Sequence, residues 1–213
     1  EYHGPRSQMM RCIDHPTMVR DGVGWGAPSG VTTGYLAHSG FTGAPAATCT
    51  GPHWDTLGDE WKLVTDTHYK PYPCCRWAHP SIDAADYLMQ RHGLTHEQIS
   101  GIEIKTFHNA TRLAGHAPVS ADEFAYSIAF PVACMVVRGQ VGVPELSTST
   151  LSDPDILRLS CATTLIEDPD LTQRSDGKRW AQVALTLHDG TRFEAEPRTP
   201  RGDTDLPLSD AEI

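Results

Sequence analysis

Residues 180–197, WAQVALTLHDGTRFEAEP, constrain the fold most, because an Asp-Gly pair joins two segments of alternating apolar and polar residues. Such a pair between alternating segments is a strong signal for a β-hairpin. Residues 99–108, ISGIEIKTFH, alternate in the same way and place Ile102, Ile104 and Thr106 on one side. These segments predict a sheet with one apolar face.

Two segments carry helical patterns. Residues 122–139 begin with acidic side chains, which suit a helix N-terminus, and Pro131 inside them predicts a kink. Residues 152–166 predict another helix, with Ser152 as its N-cap and a proline in its first turn.

A proline-rich segment precedes one more predicted helix. Aromatic residues and prolines alternate over 67–75, a pattern that predicts an extended edge strand. Pro80 then begins a helix with His79 close to its N-terminus, and Gly93 closes it.

The order of these segments predicts an α+β fold for residues 66–200, in which helices cover an antiparallel or mixed sheet. Residues 1–65 are expected to be largely helical. Within them the glycine-rich stretch 17–40 predicts one or two closely packed helices ending near Gly40. A flexible loop is the competing interpretation, because glycine has poor helix propensity.

The charge and the hydropathy of the chain exclude several partners. A net charge of −10 and an isoelectric point near 5.5 argue against nucleic acid. A local basic pocket can still bind an anionic small molecule. No run of about eighteen apolar residues occurs, so no membrane association is expected. The first residues lack the features of a signal peptide, which predicts a cytoplasmic chain with reduced thiols, and they lack an initiator Met, which suggests a fragment or a processed chain.

The candidate site is the segment 68–79, HYKPYPCCRWAH. A zinc site built on Cys74, Cys75 and His79 would need a second ligand pair at a defined spacing, and the sequence offers none, so no metal is expected. A thioredoxin-like redox pair needs two residues between its cysteines. An acid–base thiol and an anion pocket therefore remain as the favoured interpretations.

Potential cations flank the two cysteines. Lys70, Arg76 or His79 could lower the pKa of a thiol, and the same groups near a helix N-terminus could hold a carboxylate. Alternation along an extended segment places Cys74 and Cys75 on opposite sides, so that one can pack in the core while the other faces a cleft. Solvated surface charges are the competing interpretation.

Four segments in order resemble the MmgE/PrpD family, which includes 2-methylcitrate dehydratase, cis-aconitate decarboxylase and iminodisuccinate epimerase. They are residues 18–43, 70–84, 124–139 and 200–213, and the second is the most specific. The resemblance is to the C-terminal portion of family members.

The resemblance implies a fold and a chemistry. Family members pair an all-helical domain with a smaller α+β lid, so that 1–65 correspond to a remnant of the helical domain, 66–200 to the lid and 201–213 to a return segment. Their cofactor-free reactions act on small di- or tricarboxylates in the cleft between the domains, and the enzymes are typically homodimers. The family's N-terminal helical region is expected to be missing here.

The resemblance also assigns roles to residues. The lysine of the K-x-x-P segment is Lys70, a group for binding the substrate carboxylate or transferring a proton. Five residues later the family's decarboxylase has a catalytic histidine where this chain has Cys75, and the next histidine is retained as His79. Either Cys75 or His79 is expected to transfer the proton. Arg20 corresponds to a basic residue before the glycine-rich helix, and Arg76 is expected to assist in carboxylate binding.

A further departure lies in the third segment. Some members place a catalytic tyrosine three residues after a serine, and here Ser127 is followed by Phe130, which has no proton to donate. The departures at Cys75 and Phe130 disfavour decarboxylation. An acid–base thiol suits abstraction of a proton α to a carboxylate.

The sequence thus predicts a lyase of the dehydratase type that acts on a small polycarboxylate. One alternative is an epimerase or isomerase that uses the same deprotonation without loss of water. The other is a catalytically silent, truncated lid with a binding or dimerisation role.

Overall fold

The computed structural model describes residues 23–45, 51–61, 63, 66–113 and 115–213. The chain divides into two compact units, Glu1–Thr67 and His68–Ile213.

In the first unit the main described element is helix α1, Val23–His38. The helix ends where the amide of Ser39 donates to the carbonyl of Tyr35 at 3.1 Å, and Gly40 follows with a φ of 89°. A positive φ suits glycine, which lacks a Cβ. The helical interpretation of the glycine-rich stretch is confirmed for its described part, and the loop interpretation is wrong there.

The second unit is built on a four-stranded mixed sheet with the order β2-β1-β3-β4. Strand β1 pairs in parallel with β2 and antiparallel with β3, and β3 forms the predicted hairpin with β4. The strands are β1 Ile99–Thr106, β2 Thr163–Glu167, β3 Ala181–Leu187 and β4 Arg192–Glu194. The predicted α+β class and the mixed sheet are confirmed.

Helices pack around this sheet, and helix α2 packs on β3, while α4 packs against both α2 and α6. The core between them is apolar, with Ile82 of α2, Phe130 of α4 and Ile104 of β1 fully buried. The helices of this unit are α2 His79–His92, α3 Ala121–Ala125, α4 Ala129–Arg138, α5 Thr148–Leu151, α6 Pro154–Cys161 and α7 Pro169–Arg174.

Helix α2 has the predicted boundaries. Pro80 lies in its first turn, where a missing amide hydrogen costs nothing, and Gly93 ends it in the left-handed conformation with a φ of 58°. The helix begins at His79, one residue before the predicted start at Pro80, so His79 lies at the N-terminus.

The predicted kinked helix over 122–139 is instead two helices, α3 and α4. Between them the hydroxyl of Ser127 accepts a hydrogen bond from the amide of Phe130 at 3.1 Å and starts the second helix. Pro131 then lies in the first turn of α4, so it begins the helix and does not kink its interior.

The predicted helix over 152–166 is wrong in its second half. Helix α6 ends at Cys161, and the residues from Thr163 form β2, because they pair in parallel with β1. Its N-cap is Asp153, whose carboxylate accepts from the amide of Asp155 at 3.0 Å, and the cap is therefore not Ser152.

The predicted edge strand over 67–75 is also wrong, since this segment joins no strand of the sheet. Pro71 and Pro73 have no amide hydrogen to offer a neighbouring strand. The segment is irregular and is attached to the rest of the unit through individual backbone hydrogen bonds.

Candidate active site

We call residues 68–78 the site loop, because they contain Lys70, Cys75 and Arg76 and lead directly into α2. Two backbone hydrogen bonds hold it. The amide of Tyr69 donates to the carbonyl of Gly202 at 3.0 Å, and the amide of Cys75 donates to the carbonyl of Ala125 at 2.7 Å. The loop is thus attached at one end to residues 201–213, which we call the C-terminal segment, and at the other to α3.

The contact at Gly202 requires a glycine. This residue has a φ of 88°, and a Cβ added to it would lie 2.0 Å from the carbonyl oxygen of Tyr69. Any other side chain would therefore push the site loop away from the C-terminal segment.

A second attachment of the site loop is ionic. The Nε of Arg76 donates to Oδ1 of Asp203 at 2.9 Å, and the Nη2 of Arg76 donates to the other carboxylate oxygen. The Nδ1 of His68 lies 3.2 Å from the same Oδ1. Asp203 is only 3% exposed, so a buried carboxylate neutralises part of the positive charge of the loop.

A polar network lies behind the loop. The hydroxyl of Tyr72 donates to the buried carboxylate of Asp83 at 2.6 Å, and Asp83 also accepts from the amide and the Nε of Arg201 at 2.9 and 3.1 Å. Burial is the main cause that raises the pKa of the Tyr72 phenol, and the Asp83 charge adds to it. Tyr72 therefore stays protonated and fixes the loop against α2 and the C-terminal segment.

His79 lies inside the protein. Its side chain is almost fully buried, its Nε2 lies 3.2 Å from the carbonyl oxygen of Cys74, and its ring packs edge-on against Tyr72 with 5.1 Å between the ring centroids. Burial lowers the pKa of His79 to about 4, so the ring is neutral at pH 7. A neutral ring can donate its Nε2 hydrogen to the carbonyl of Cys74 and position the loop.

The two adjacent cysteines have the different environments that were expected, although the extended strand on which the expectation rested does not form. Cys74 is 2% exposed, and burial raises the pKa of its thiol well above the ordinary range. Cys75 is only half-buried. Cys74 is a core residue, and Cys75 is the cysteine of the loop that a substrate could reach.

Lys70 is exposed on the same loop. Its positive charge lowers the pKa of the Cys74 thiol and of the His79 imidazole, although burial has the larger effect on both groups. Lys70 therefore lies within electrostatic reach of the residues that flank Cys75. Arg20, the other predicted carboxylate ligand, lies outside the described residues.

The structure adds Arg179, which the sequence did not indicate. Burial lowers the pKa of this guanidinium and repulsion from Arg76 lowers it further, while Cys75 and Asp203 oppose both effects. Arg179 thus belongs to the same electrostatic environment as Cys75, although it is far away in sequence. No spacing or motif connects it with the site loop.

The site loop therefore contains a half-buried thiol, an exposed lysine and an arginine that is bound by Asp203. Among the described residues, no group of three or more His, Cys, Asp and Glu side chains is arranged to hold a metal ion. Cationic side chains at a thiol suit the binding of a carboxylate and the removal of a proton next to it.

Comparison with known families finds one matching family model. The family model described as the MmgE/PrpD C-terminal domain matches residues 72–213. The chain belongs to the MmgE/PrpD family. No curated protein gives a significant match to the chain. The matched range begins inside the site loop and includes the whole sheet.

MmgE/PrpD proteins are generally enzymes. The sequence resemblance implied a tyrosine in some members at the position of Phe130. Phe130 is fully buried and packs edge-on against Phe124, with 5.7 Å between the ring centroids. This MmgE/PrpD chain therefore has a core residue at that position. No helix in the described part of the chain is long and apolar enough to cross a membrane.

Proposed function

We propose that this protein is a lyase of the dehydratase type that acts on a small di- or tricarboxylate by acid–base chemistry without a cofactor. The observation that carries the proposal is the half-exposed Cys75 in a loop that also presents Lys70 and Arg76. Membership of the MmgE/PrpD family supports the same substrate class.

Carboxylate binding is the first step of the proposed reaction. Lys70 is exposed and bears a compact charge, so we assign it to the carboxylate next to the reacting carbon. Arg76 adds positive charge, although two of its donors are occupied by Asp203. Arg20 remains a proposed ligand of a second carboxylate. Neutralising the carboxylate makes the hydrogen on the adjacent carbon more acidic.

Proton transfer is the second step. The Cys75 thiolate takes the proton from the carbon next to the bound carboxylate, and the electron pair of that C–H bond forms the new C=C bond as the C–O bond of the neighbouring carbon breaks. The proton then passes from the Cys75 thiol to the departing hydroxide, so that water leaves and the thiolate is regenerated.

We assign this proton transfer to Cys75 and a positioning role to His79. The imidazole is buried and neutral, and its Nε2 is engaged with the carbonyl of Cys74. Through that carbonyl His79 fixes the backbone immediately before Cys75.

Substitution of Lys70 tests the proposal. In the protein encoded by the complete gene, Lys70→Ala is expected to lower kcat/KM by roughly a hundredfold or more, because a charge-assisted carboxylate contact is lost. The melting temperature should not change, since Lys70 is exposed. Lys105→Ala, which removes a lysine paired with Glu194 on the sheet, is the matched control. Full turnover by Lys70→Ala would contradict the role of Lys70.

Reaction in deuterated water separates dehydration from epimerisation. A dehydratase converts a single stereoisomer of a hydroxy-polycarboxylate into an unsaturated product. An epimerase returns a diastereomer with deuterium on the carbon that lost its proton. Formation of the deuterated diastereomer without an unsaturated product would replace the dehydratase assignment by the epimerase assignment.

A further inference from the structure

Arg179 lies in the turn between α7 and β3, and its own turn holds it in place. The Nη1 of Arg179 donates to the carbonyl oxygens of Ser175 and Lys178 at 3.0 and 2.9 Å. The guanidinium carbon lies 5.7 Å from the centroid of the Phe107 ring, which packs edge-on against Trp77 at 5.4 Å. The side chain is therefore fixed on an aromatic surface that continues to the site loop.

The Nε of Arg179 is buried and has no hydrogen-bond partner. The other arginines of this region differ, because Arg76 is bound by Asp203 and Arg201 by Asp83. No carboxylate among the described residues pairs with Arg179. A buried donor without a partner is costly, so such a group points to a partner that is absent from the chain itself.

A cavity of about 520 Å³ adjoins the guanidinium, and Trp77, Phe107, Thr172 and Ser175 contribute to its lining. Its size suits a small organic acid. Asp176 also lines the cavity and opposes an anion, but this residue is exposed to solvent, which screens its charge. Solvent screens the charge of Arg179 less, because this side chain is half-buried.

We propose that Arg179 is a further substrate-binding residue of the candidate site, with its guanidinium binding a carboxylate of the ligand whose reacting carbon lies at Cys75. This inference rests on the proposed function for the class of ligand. It assigns the cavity beside Trp77 to the part of the polycarboxylate that lies away from the reacting carbon. Arg179 and Lys70 then hold different carboxylates of one molecule.

Direct binding of propane-1,2,3-tricarboxylate, measured by calorimetry, tests this assignment without requiring turnover. Arg179→Gln is expected to weaken binding by roughly ten- to a hundredfold, because a charge-assisted hydrogen bond is removed. Arg174→Gln is the matched control, since Arg174 belongs to the neighbouring helix turn and stacks on Trp180 at 3.7 Å, outside the cavity. This control should bind within about threefold of the wild type.

A conservative variant serves as a control for misfolding. Arg179→Lys keeps the positive charge and lacks the planar donor group, so it should fold with an unchanged melting temperature and still bind at least several-fold more weakly than the wild type. If Arg179→Gln does not fold, the affinity of Arg179→Lys for the tricarboxylate tests whether Arg179 binds the ligand.

Two results would overturn the assignment. One is an unchanged affinity in the Arg179 variants, and the other is an equal loss in Arg174→Gln, which would show a general charge effect. If binding depends on Arg179 but no unsaturated or deuterated product forms, the assignment of Arg179 stands and the proposed reaction fails. The two conclusions are therefore tested separately.

Discussion

The carboxylate of Asp203 binds the guanidinium of Arg76 through both of its oxygens, although 127 positions separate the two residues in the chain. Asp203 is buried, while the side chain of Arg76 is 23% exposed. The site loop is therefore held by a residue that follows the whole sheet in sequence, and its geometry depends on a long-range ion pair.

Removal of this carboxylate should destabilise the protein. Asp203→Ala leaves Arg76 without its partner, and we expect a loss of about 2–3 kcal/mol in the free energy of unfolding, measured in urea. Asp205→Ala is the control, because its ion pair with Lys178 is exposed and should be worth less than about 1 kcal/mol. Equal losses in both variants would contradict a special role for Asp203.

A second prediction compares two glycines that share a φ of 88°. Gly190→Ala meets no atom within 4 Å and should cost only the strain of the left-handed conformation, about 1–2 kcal/mol. Gly202→Ala also places a Cβ 2.0 Å from the carbonyl oxygen of Tyr69 and should cost about 3 kcal/mol or more. Unfolding in urea measures the loss of stability in both variants. A similar loss in the two would show that the close contact between Gly202 and the carbonyl of Tyr69 is unimportant.

The buried imidazole of His79 predicts a dependence of stability on pH. Its pKa falls from 6.5 to about 4 on burial, so the unfolded chain binds one more proton than the folded protein between these values. The stability that His79 contributes is therefore complete above pH 6.5 and declines as the pH falls to 4, by about 1.4 kcal/mol per pH unit. The side chain introduced by His79→Gln does not titrate. The free energy of unfolding, measured in urea at pH 4.5–7, should therefore depend less on pH, by the amount that corresponds to the uptake of about one proton. An unchanged slope would mean that His79 is solvated.

Alkylation distinguishes the adjacent cysteines. In the native protein iodoacetamide should modify Cys75 at least roughly tenfold faster than Cys74, because Cys74 is buried and its pKa is raised. Cys161, which is exposed, serves as the positive control, and urea should make Cys74 reactive. Peptide mapping by mass spectrometry measures the alkylation of each cysteine. Equal rates for Cys74 and Cys75 in the native protein would contradict their different burial.

Activity provides a test of the same thiol. Cys75→Ser is expected to lower kcat by roughly a hundredfold to ten-thousandfold, because a hydroxyl is a much weaker acid than a thiol and cannot serve as the base. Cys74→Ser in the core is the comparison variant. Its effect should appear in the free energy of unfolding, and its kcat should change little.

Elements with local signals could be predicted from the sequence. Pro80 and Gly93 mark the two ends of α2, and the alternation of Ile102 and Ile104 marks the buried face of β1. The hairpin of β3 and β4 follows from its Asp-Gly turn. Each signal acts between residues that are near in the chain, so no knowledge of the tertiary structure is needed.

Elements that depend on distant partners could not be predicted. The residues of β2 continue a helical pattern, and only their pairing beside β1 makes them a strand. The segment 67–75 has an extended composition, but its amides bond to Gly202 and Ala125 and not to a strand. Tertiary contacts outweigh local propensity in both cases.

Some residues of the candidate site could also be predicted from the sequence, and others could not. Lys70, Cys75 and His79 share one short segment, so the sequence brings them together without help from the fold. Arg179 lines a cavity together with Trp77 of this segment, and Asp203 binds its Arg76, each from a position more than a hundred residues later. Nothing in their local sequence marks them, because their role comes from the sheet and the C-terminal segment that position them.

The attachment of the site loop to Gly202 and Asp203 has a consequence for biosynthesis. A ribosome makes the loop well before its two anchors, since these follow the last described strand of the sheet. The loop cannot acquire its final shape while the chain is still being elongated before residue 203. A premature stop codon shortly before that position would therefore yield a chain with every residue of the loop and no organised site.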